Sequence, residues 1–317
     1  QGAGIVTAVI GPVGNDLDVD LSDNQFLAAP AGSLLQFIQS GAVGRDLRLA
    51  VDGNYMENGL VVLSLLPVGR NSDVSFSGNT LLNAAGGALT LVSSTVGGDA
   101  VLRLDNNAIV SPQGAGLTVI LPPLIGNDLY LSASGNYIAD ALGAGLTLAG
   151  GGLVNNAYVS MHNNQILNSA GAGLTAVFGA ITGNVVVSTS GNRINDSGGA
   201  GMTLLLGSVS GNADISVLNS EFNGNAGTGL QVLAPMVGGT LNVVIDPTSA
   251  NNNVGPGMSL LLTSMGNLTL LVQDVQANDN TGPGITVAAN SISGAVQAAF
   301  ANVTANDNSG PGMSASL

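Results

Sequence analysis

The sequence predicts an all-β solenoid, a chain wound into a coil of short parallel strands with one turn per repeat. Three observations lead to this reading. The tripeptide Gly-x-Gly followed by Leu, Ile or Met occurs nine times, with second glycines at Gly4, Gly116, Gly145, Gly173, Gly201, Gly229, Gly257, Gly284 and Gly312. From Gly116 onward the steps are 29, 28, 28, 28, 28, 27 and 28 residues, and a fixed period of a few tens of residues marks a stacked repeat architecture. Between these landmarks the residues alternate with period two, as in "DLYLSAS" and "DLRLAVD", which is the pattern of strands rather than helices.

Each part of the repeat has a physical role. Weaker copies of the first landmark, "GSL" at Gly32, "NGL" at Asn58 and "GAL" at Gly87, fill the early gap. With them, residues 1–317 form one domain of about eleven full turns and a partial twelfth. Glycine at the landmark accepts the positive φ of a tight corner. The apolar residue after it, as at Leu117, Leu146, Leu174, Met202, Leu230, Met258, Ile285 and Met313, is expected to stack inside as one column. A second landmark follows in each turn: "GNYM" at Gly53, "GNTL" at Gly78, "GNYI" at Gly135 and "GNRI" at Gly191 are examples. It yields an asparagine column, Asn24, Asn54, Asn79, Asn107, Asn136, Asn164 and Asn192, which lapses at Ser220 and returns near Asn302. The amides of such a column can bond from turn to turn.

Composition narrows the function. There is no cysteine, so neither disulfides nor a cysteine-ligated metal hold the chain. The only basic residues are Arg45, Arg48, Arg70, Arg103 and Arg193, the net charge is -14, and only 8% of residues are charged. Nucleic acid is therefore not an expected partner, since phosphate binding needs cationic clusters. Gly and Asn interrupt every hydrophobic stretch, so no membrane insertion is expected. The chain opens at Gln1 without a basic segment and apolar core, which fits a mature chain after signal-peptide removal and also fits a cytoplasmic one. The expected location is extracellular or the cell surface.

The run "GNRINDSGGAGMTLLL", Gly191 to Leu206, resembles the repeat of the right-handed parallel β-helix superfamily. That superfamily includes pectate lyases, polygalacturonases, phage tailspikes and surface proteins. The resemblance extends over essentially the whole chain and implies the fold; one scaffold with several jobs implies no single activity.

Polysaccharide-cleaving members of that superfamily use clustered carboxylates, and no such cluster falls at stacked positions. The densest acidic stretch carries Asp16, Asp18, Asp20 and Asp23. Alternation places the first three on one outward face, as a Ca²⁺ or acid-pair site or, as the simpler reading, a solvated charged face. Aligning turns sets Arg48 between Asp18 and Asp73. His162 is the only histidine, and its aligned neighbours Ser134 and Ser190 offer no expected base–nucleophile set. Tyr130 and Tyr158 align one turn apart and face outward, as a cross-strand pair or a platform for a sugar ring. No catalytic, cofactor or metal residue is assigned, and the expectation is a non-enzyme that needs no cofactor.

The strand after each Gly-x-Gly is the most informative part. Its second residue gives a polar outer column, with Thr90, Thr118, Thr147, Thr175 and Thr203 among its members. Its fourth residue gives an apolar outer stripe through Phe37, Leu63, Val92, Ile120, Val177, Leu205, Leu233 and Leu261. A stripe that long exceeds what a monomer normally exposes, so either the chain's own corner loops or a neighbouring copy should cover it. The chain also begins and ends on the same strand, so Ile5, Thr7 and Val9 could pair with Met313, Ala315 and Leu317 of another copy. The sequence thus points to a structural subunit of an extracellular filament, sheath or surface layer. It would be a homopolymer built by edge stacking and lateral packing. The alternative is a polysaccharide-binding or polysaccharide-degrading β-helix protein. An ice-binding face ranks lower, because the row beside the threonines is aliphatic.

Overall fold

In a computed structural model the chain is an all-β, right-handed parallel β-helix of about eleven turns of about 28 residues. The structure describes residues 5–26, 33–150, 152 and 155–317. Gly4 and Gly32, two of the repeat landmarks, lie outside the described residues.

Each turn contributes strands to three faces. The first face carries the strand after Gly-x-Gly, such as Leu117–Ile120, Leu146–Ala149 and Leu174–Phe178. The second carries Ala100–Arg103, Leu129–Ser132, Ala157–His162 and Val185–Ser190. Short strands such as Tyr137–Ala139, Gln165–Leu167 and Arg193–Asn195 form the third. Each strand pairs in parallel with its counterparts one turn away, as Leu146 does with Leu117 and Leu174. At about 4.8 Å per turn the coil is roughly 50 Å long.

The interior is a set of apolar columns. Leu117, Leu146, Leu174, Met202, Leu230, Met258 and Ile285 are fully buried, as the repeat predicts, and rings such as Phe76, Phe178 and Phe222 fill the space between faces. Burial on this scale dominates stability, because every inward side chain is removed from water on both sides of its turn.

The outward stripe needs one correction. Phe37 and Leu63 are fully buried, whereas Val92, Ile120 and Leu261 are each about two-fifths exposed, at 42%, 41% and 42%. Val177, Leu205 and Leu233 are half-buried on the same outer row. The reason is a one-residue slip in the early turns: Leu89 pairs with Val61, not Leu60, and Leu91 pairs with Leu63. A one-residue shift exchanges the two faces of a strand. The observed register buries Val61, Leu63 and Leu65 and leaves Ser64 outside; the predicted one would have done the reverse. The outer row therefore runs Val9, Ile38, Ser64, Val92, Ile120 and onward. Among the described residues no corner loop covers Val92, Ile120 or Leu261.

Two corners assign glycine and asparagine differently from the sequence reading. Positive φ belongs to the residue before each ladder asparagine: Gly53, Gly78, Asn106, Gly135, Asn163 and Gly191. At the Gly-x-Gly landmark the constraint is close approach. A Cβ on Gly173 would meet the Ile194 side chain and, at 2.7 Å, the carbonyl oxygen of Gly201.

The asparagine column is an internal ladder. Asn136 donates its backbone N–H to Asn164 Oδ1 at 3.1 Å and its side-chain amide to the same oxygen at 2.9 Å and to the Leu104 carbonyl at 2.7 Å. Asn164 repeats the pattern toward Asn192 and the Ala133 carbonyl. The ladder lapses at Ser220 as expected, where the Asn192 N–H finds the serine hydroxyl. It does not return at Asn302, which is an exposed positive-φ corner residue bonded to Asp274. A second ladder at another corner takes over instead, through Asn225, Asn253, Asn280 and Asn308. Buried backbone donors must be paired, and these amides do so where the chain turns and strand pairing cannot.

Candidate functional site

The second face holds the most distinctive surface. Tyr130 and Tyr158 occupy paired positions on adjacent strands. Their rings stack with centroids 5.1 Å apart and planes 13° from parallel. Both point outward, 43% and 40% exposed. Next to them runs a row of outward serines, Ser132, Ser160 and Ser188, in direct register. Valines stand where tyrosines could have continued, at Val101 and Val186. The fall from ring to valine at both ends opens a trough of about 520 Å³ lined by the two tyrosines, the serines and Arg103. Arg103 is held by an ion pair with Asp73. Tyr130 Oη also lies 3.4 Å from Asp128. Partial desolvation, and then the negative charges of Asp128 and Asp99, push its phenol above the ordinary tyrosine range.

A polar groove follows on the third face. One part, about 290 Å³, is lined by Asn163, Gln165, Gly191, Arg193 and Glu221; the next, about 380 Å³, shares Asn219 and Glu221 and continues to Asp274 and Gln276. Arg193 and Glu221 are paired across it at 3.5 Å.

The corner between trough and groove carries His162. Its Nδ1 lies 2.8 Å from Ser190 Oγ, and its backbone N–H donates to Ser134 Oγ at 3.1 Å. The sequence reading found no base–nucleophile set at these residues; the structure brings the His162 ring and the Ser190 hydroxyl into hydrogen-bond contact. Spacing put the two side chains one turn apart, but only the corner geometry aims the ring at the hydroxyl.

The acidic N-terminal stretch is not one site. Asp18 and Asp20 share the outward face of Leu17–Asp20, while Asp16 sits before the strand, paired with Arg45 at 3.5 Å. Arg48 aligns between Asp18 and Asp73 as expected. Among the described residues no group of three or more His, Asp or Glu side chains is placed to hold a metal ion. Asp16 instead begins a corner series in which Asp16, Asp46, Asn71, Asp99, Asp128, Asn156 and Asn184 each accept the backbone N–H of the following turn.

The proposed assembly edges lie on the outermost strands, Ile5–Ile10 and Met313–Ser316, each paired on one side only among the described residues. Register places Thr7 and Val9 in the outer rows and Val6 and Ala8 in the inner ones, the reverse of the sequence reading. Met313 and Ala315 continue the inner columns of Ile285 and Val287, and Leu317 follows the strand, half exposed.

Comparison with known proteins adds little to the fold described above. No family model and no curated protein matches the chain. Among solved structures it is similar to the Azotobacter vinelandii mannuronan C-5 epimerase AlgE4 A-module. The identity is 13% and the TM-score 0.32, over 99% of this chain and 91% of that one. The expectation of a non-enzyme is corrected on this point: the similar structure is an epimerase module, which is an enzyme.

Proposed function

We propose that the chain binds an uncharged polysaccharide strand along its second face, in an extracellular setting. The observation that carries this is the outward Tyr130–Tyr158 pair in its open trough. A stacked pair leaves one face of each ring free, toward Val101 and toward Val186. An apolar ring face complements the C–H face of a pyranose, and the serine row supplies hydroxyls to the sugar's edge. The trough spans four turns, roughly 14 Å along the axis, which suits a linear polymer lying parallel to the coil. With a net charge of -14 the protein repels polyanions, so a neutral glycan is favoured over an acidic one. Affinity electrophoresis through gels containing neutral or uronic-acid polysaccharides tests this. Retardation by a neutral glycan should be lost in the Tyr130→Ala, Tyr158→Ala double variant. Equal retardation of the variant, or retention by uronic-acid gels alone, would contradict it.

A second reading, lateral self-association, rests on one observation. The strands of the first face carry no charged residue, and Val92, Ile120 and Leu261 lie open on it. Sedimentation should show concentration-dependent association that Leu205→Lys and Leu233→Lys weaken.

A further inference from the structure

We infer that Ser190 and His162 form a nucleophile–base pair that removes O-acyl esters from the polysaccharide; the acyl-glycan substrate rests on the binding reading above, the pair itself does not.

The argument begins with a broken pattern. Asp52, Ser77, Asp105, Ser134, His162 and Ser190 occupy one corner position on successive turns. Acid and serine alternate. Asp52 Oδ1 accepts the Ser77 N–H at 2.8 Å, and Asp105 Oδ1 accepts the Ser134 N–H at 2.8 Å. Each also takes a neighbouring serine hydroxyl, from Ser75 and Ser132. His162 stands where the third aspartate belongs. Ser190 Oγ lies 2.8 Å from His162 Nδ1, and in the neutral tautomer with the proton on Nε2 that nitrogen is the acceptor of the serine hydroxyl. An aspartate would serve the corner as it does twice before. The histidine instead polarises an oxygen, which is the arrangement of an activated nucleophile.

Location gives the pair a substrate. Ser188 lines the tyrosine trough, Gly191 lines the polar groove, and Ser190 sits between them, half-buried. An acyl group on a sugar held in the trough would reach over this corner. Among the described residues no carboxylate is bonded to the far ring nitrogen. The imidazolium is thus less stabilised than in a full triad, which suits an ester rather than an amide. In the reaction Ser190 Oγ adds to the ester carbonyl as its proton passes to His162 Nδ1. The carbonyl–sugar oxygen bond then breaks, and that proton goes to the leaving sugar hydroxyl. Water, deprotonated by the same imidazole, cleaves the acyl-serine and releases the carboxylic acid.

The test uses the full chain with a fluorophosphonate probe and p-nitrophenyl acetate, followed by acetylated and deacetylated neutral glycan. Mass spectrometry should place the phosphonyl group on Ser190. Ser190→Ala should abolish labelling. His162→Asp, which restores the corner's own pattern and so preserves the fold, should lower the rate of labelling and of ester hydrolysis by about 100-fold or more, the usual worth of a positioned base. An unlabelled Ser190, or a His162→Asp protein as reactive as the parent, overturns the inference even if glycan binding holds. Labelling and hydrolysis without glycan retention would leave the nucleophile standing and refute the polysaccharide as its substrate.

Discussion

Replacing Asn164 tests the internal ladder, because one side chain there serves four groups. Its Oδ1 accepts both the backbone N–H and the amide of Asn136, at 3.1 and 2.9 Å, and its own amide reaches Asn192 Oδ1 at 2.9 Å and the Ala133 carbonyl at 2.7 Å. In Asn164→Ala the Asn136 N–H loses its acceptor inside the protein. An orphaned buried donor costs about 1–3 kcal/mol, and the half-lost partners and the space left behind bring the total to about 3–5 kcal/mol. Asn164→Asp keeps the shape but turns a donor into a carboxylate facing two acceptor oxygens. That environment raises the carboxyl's folded-state pKa above its unfolded value. The cost is therefore absent below the unfolded pKa and grows as pH rises. Urea unfolding followed by circular dichroism should show the aspartate variant far weaker than the parent at about pH 7 and closer to it at about pH 4. Exchange of the Asn136 amide should quicken in both variants. An alanine variant within about 0.5 kcal/mol of the parent, a typical surface-substitution effect, or an aspartate variant indifferent to pH, would refute the claim that these amides satisfy the corners.

Three further outcomes follow from the same geometry. Gly173→Ala should destabilise by about 1–3 kcal/mol in thermal unfolding, because its methyl meets Ile194 and the Gly201 carbonyl in a packed interior. Ser197→Asn should stabilise by about 1 kcal/mol, read the same way. The Ser197 hydroxyl is buried with no partner among the described residues while its backbone N–H already bonds Asn225, so an asparagine would extend the second ladder by one turn. Ultraviolet titration should find the Tyr130 phenolate forming above the ordinary tyrosine range, and Asp128→Asn should bring it down; an unchanged titration would show that Asp128 has no hold on it.

Fold and repeat were legible because burial imposes them on every turn: a stacked column needs an apolar residue at the same place each time, as Leu146, Leu174 and Met202 show. Register in the early turns was not legible, since "SLLQFIQ" and "GLVVLS" offer an apolar residue to either face and only the summed burial of Val61, Leu63 and Leu65 decides. The second ladder did leave a signal, the Asn-x-Asn of "NGNAGTG", "NNNVGPG", "NDNTGPG" and "NDNSGPG", but it begins only where the first column lapses and the sequence reading did not pick it out. The tyrosine platform was visible as a spacing, and its stacking follows directly. The His162–Ser190 contact was hidden, because a 28-residue separation gives adjacency without side-chain direction.

The handover between ladders also has a mechanical meaning. Up to Asn192 the turns are tied at one corner, and from Asn225 they are tied at another. Pulled along its axis, the coil would behave as a spring whose rungs give way singly, each releasing about 28 residues, or roughly 90 Å of slack. The rung between Asn192 and Ser220 is no weak point, although a single 3.3 Å bond to a hydroxyl replaces the paired bonds to an amide oxygen there. Across the same two turns the Ser197 N–H already bonds Asn225 Oδ1 at 3.0 Å and the Asn225 amide reaches back to the Ile194 carbonyl at 3.2 Å, so the two ties overlap as cords do in a splice. A force trace would then read as an even sawtooth with no low tooth at the handover.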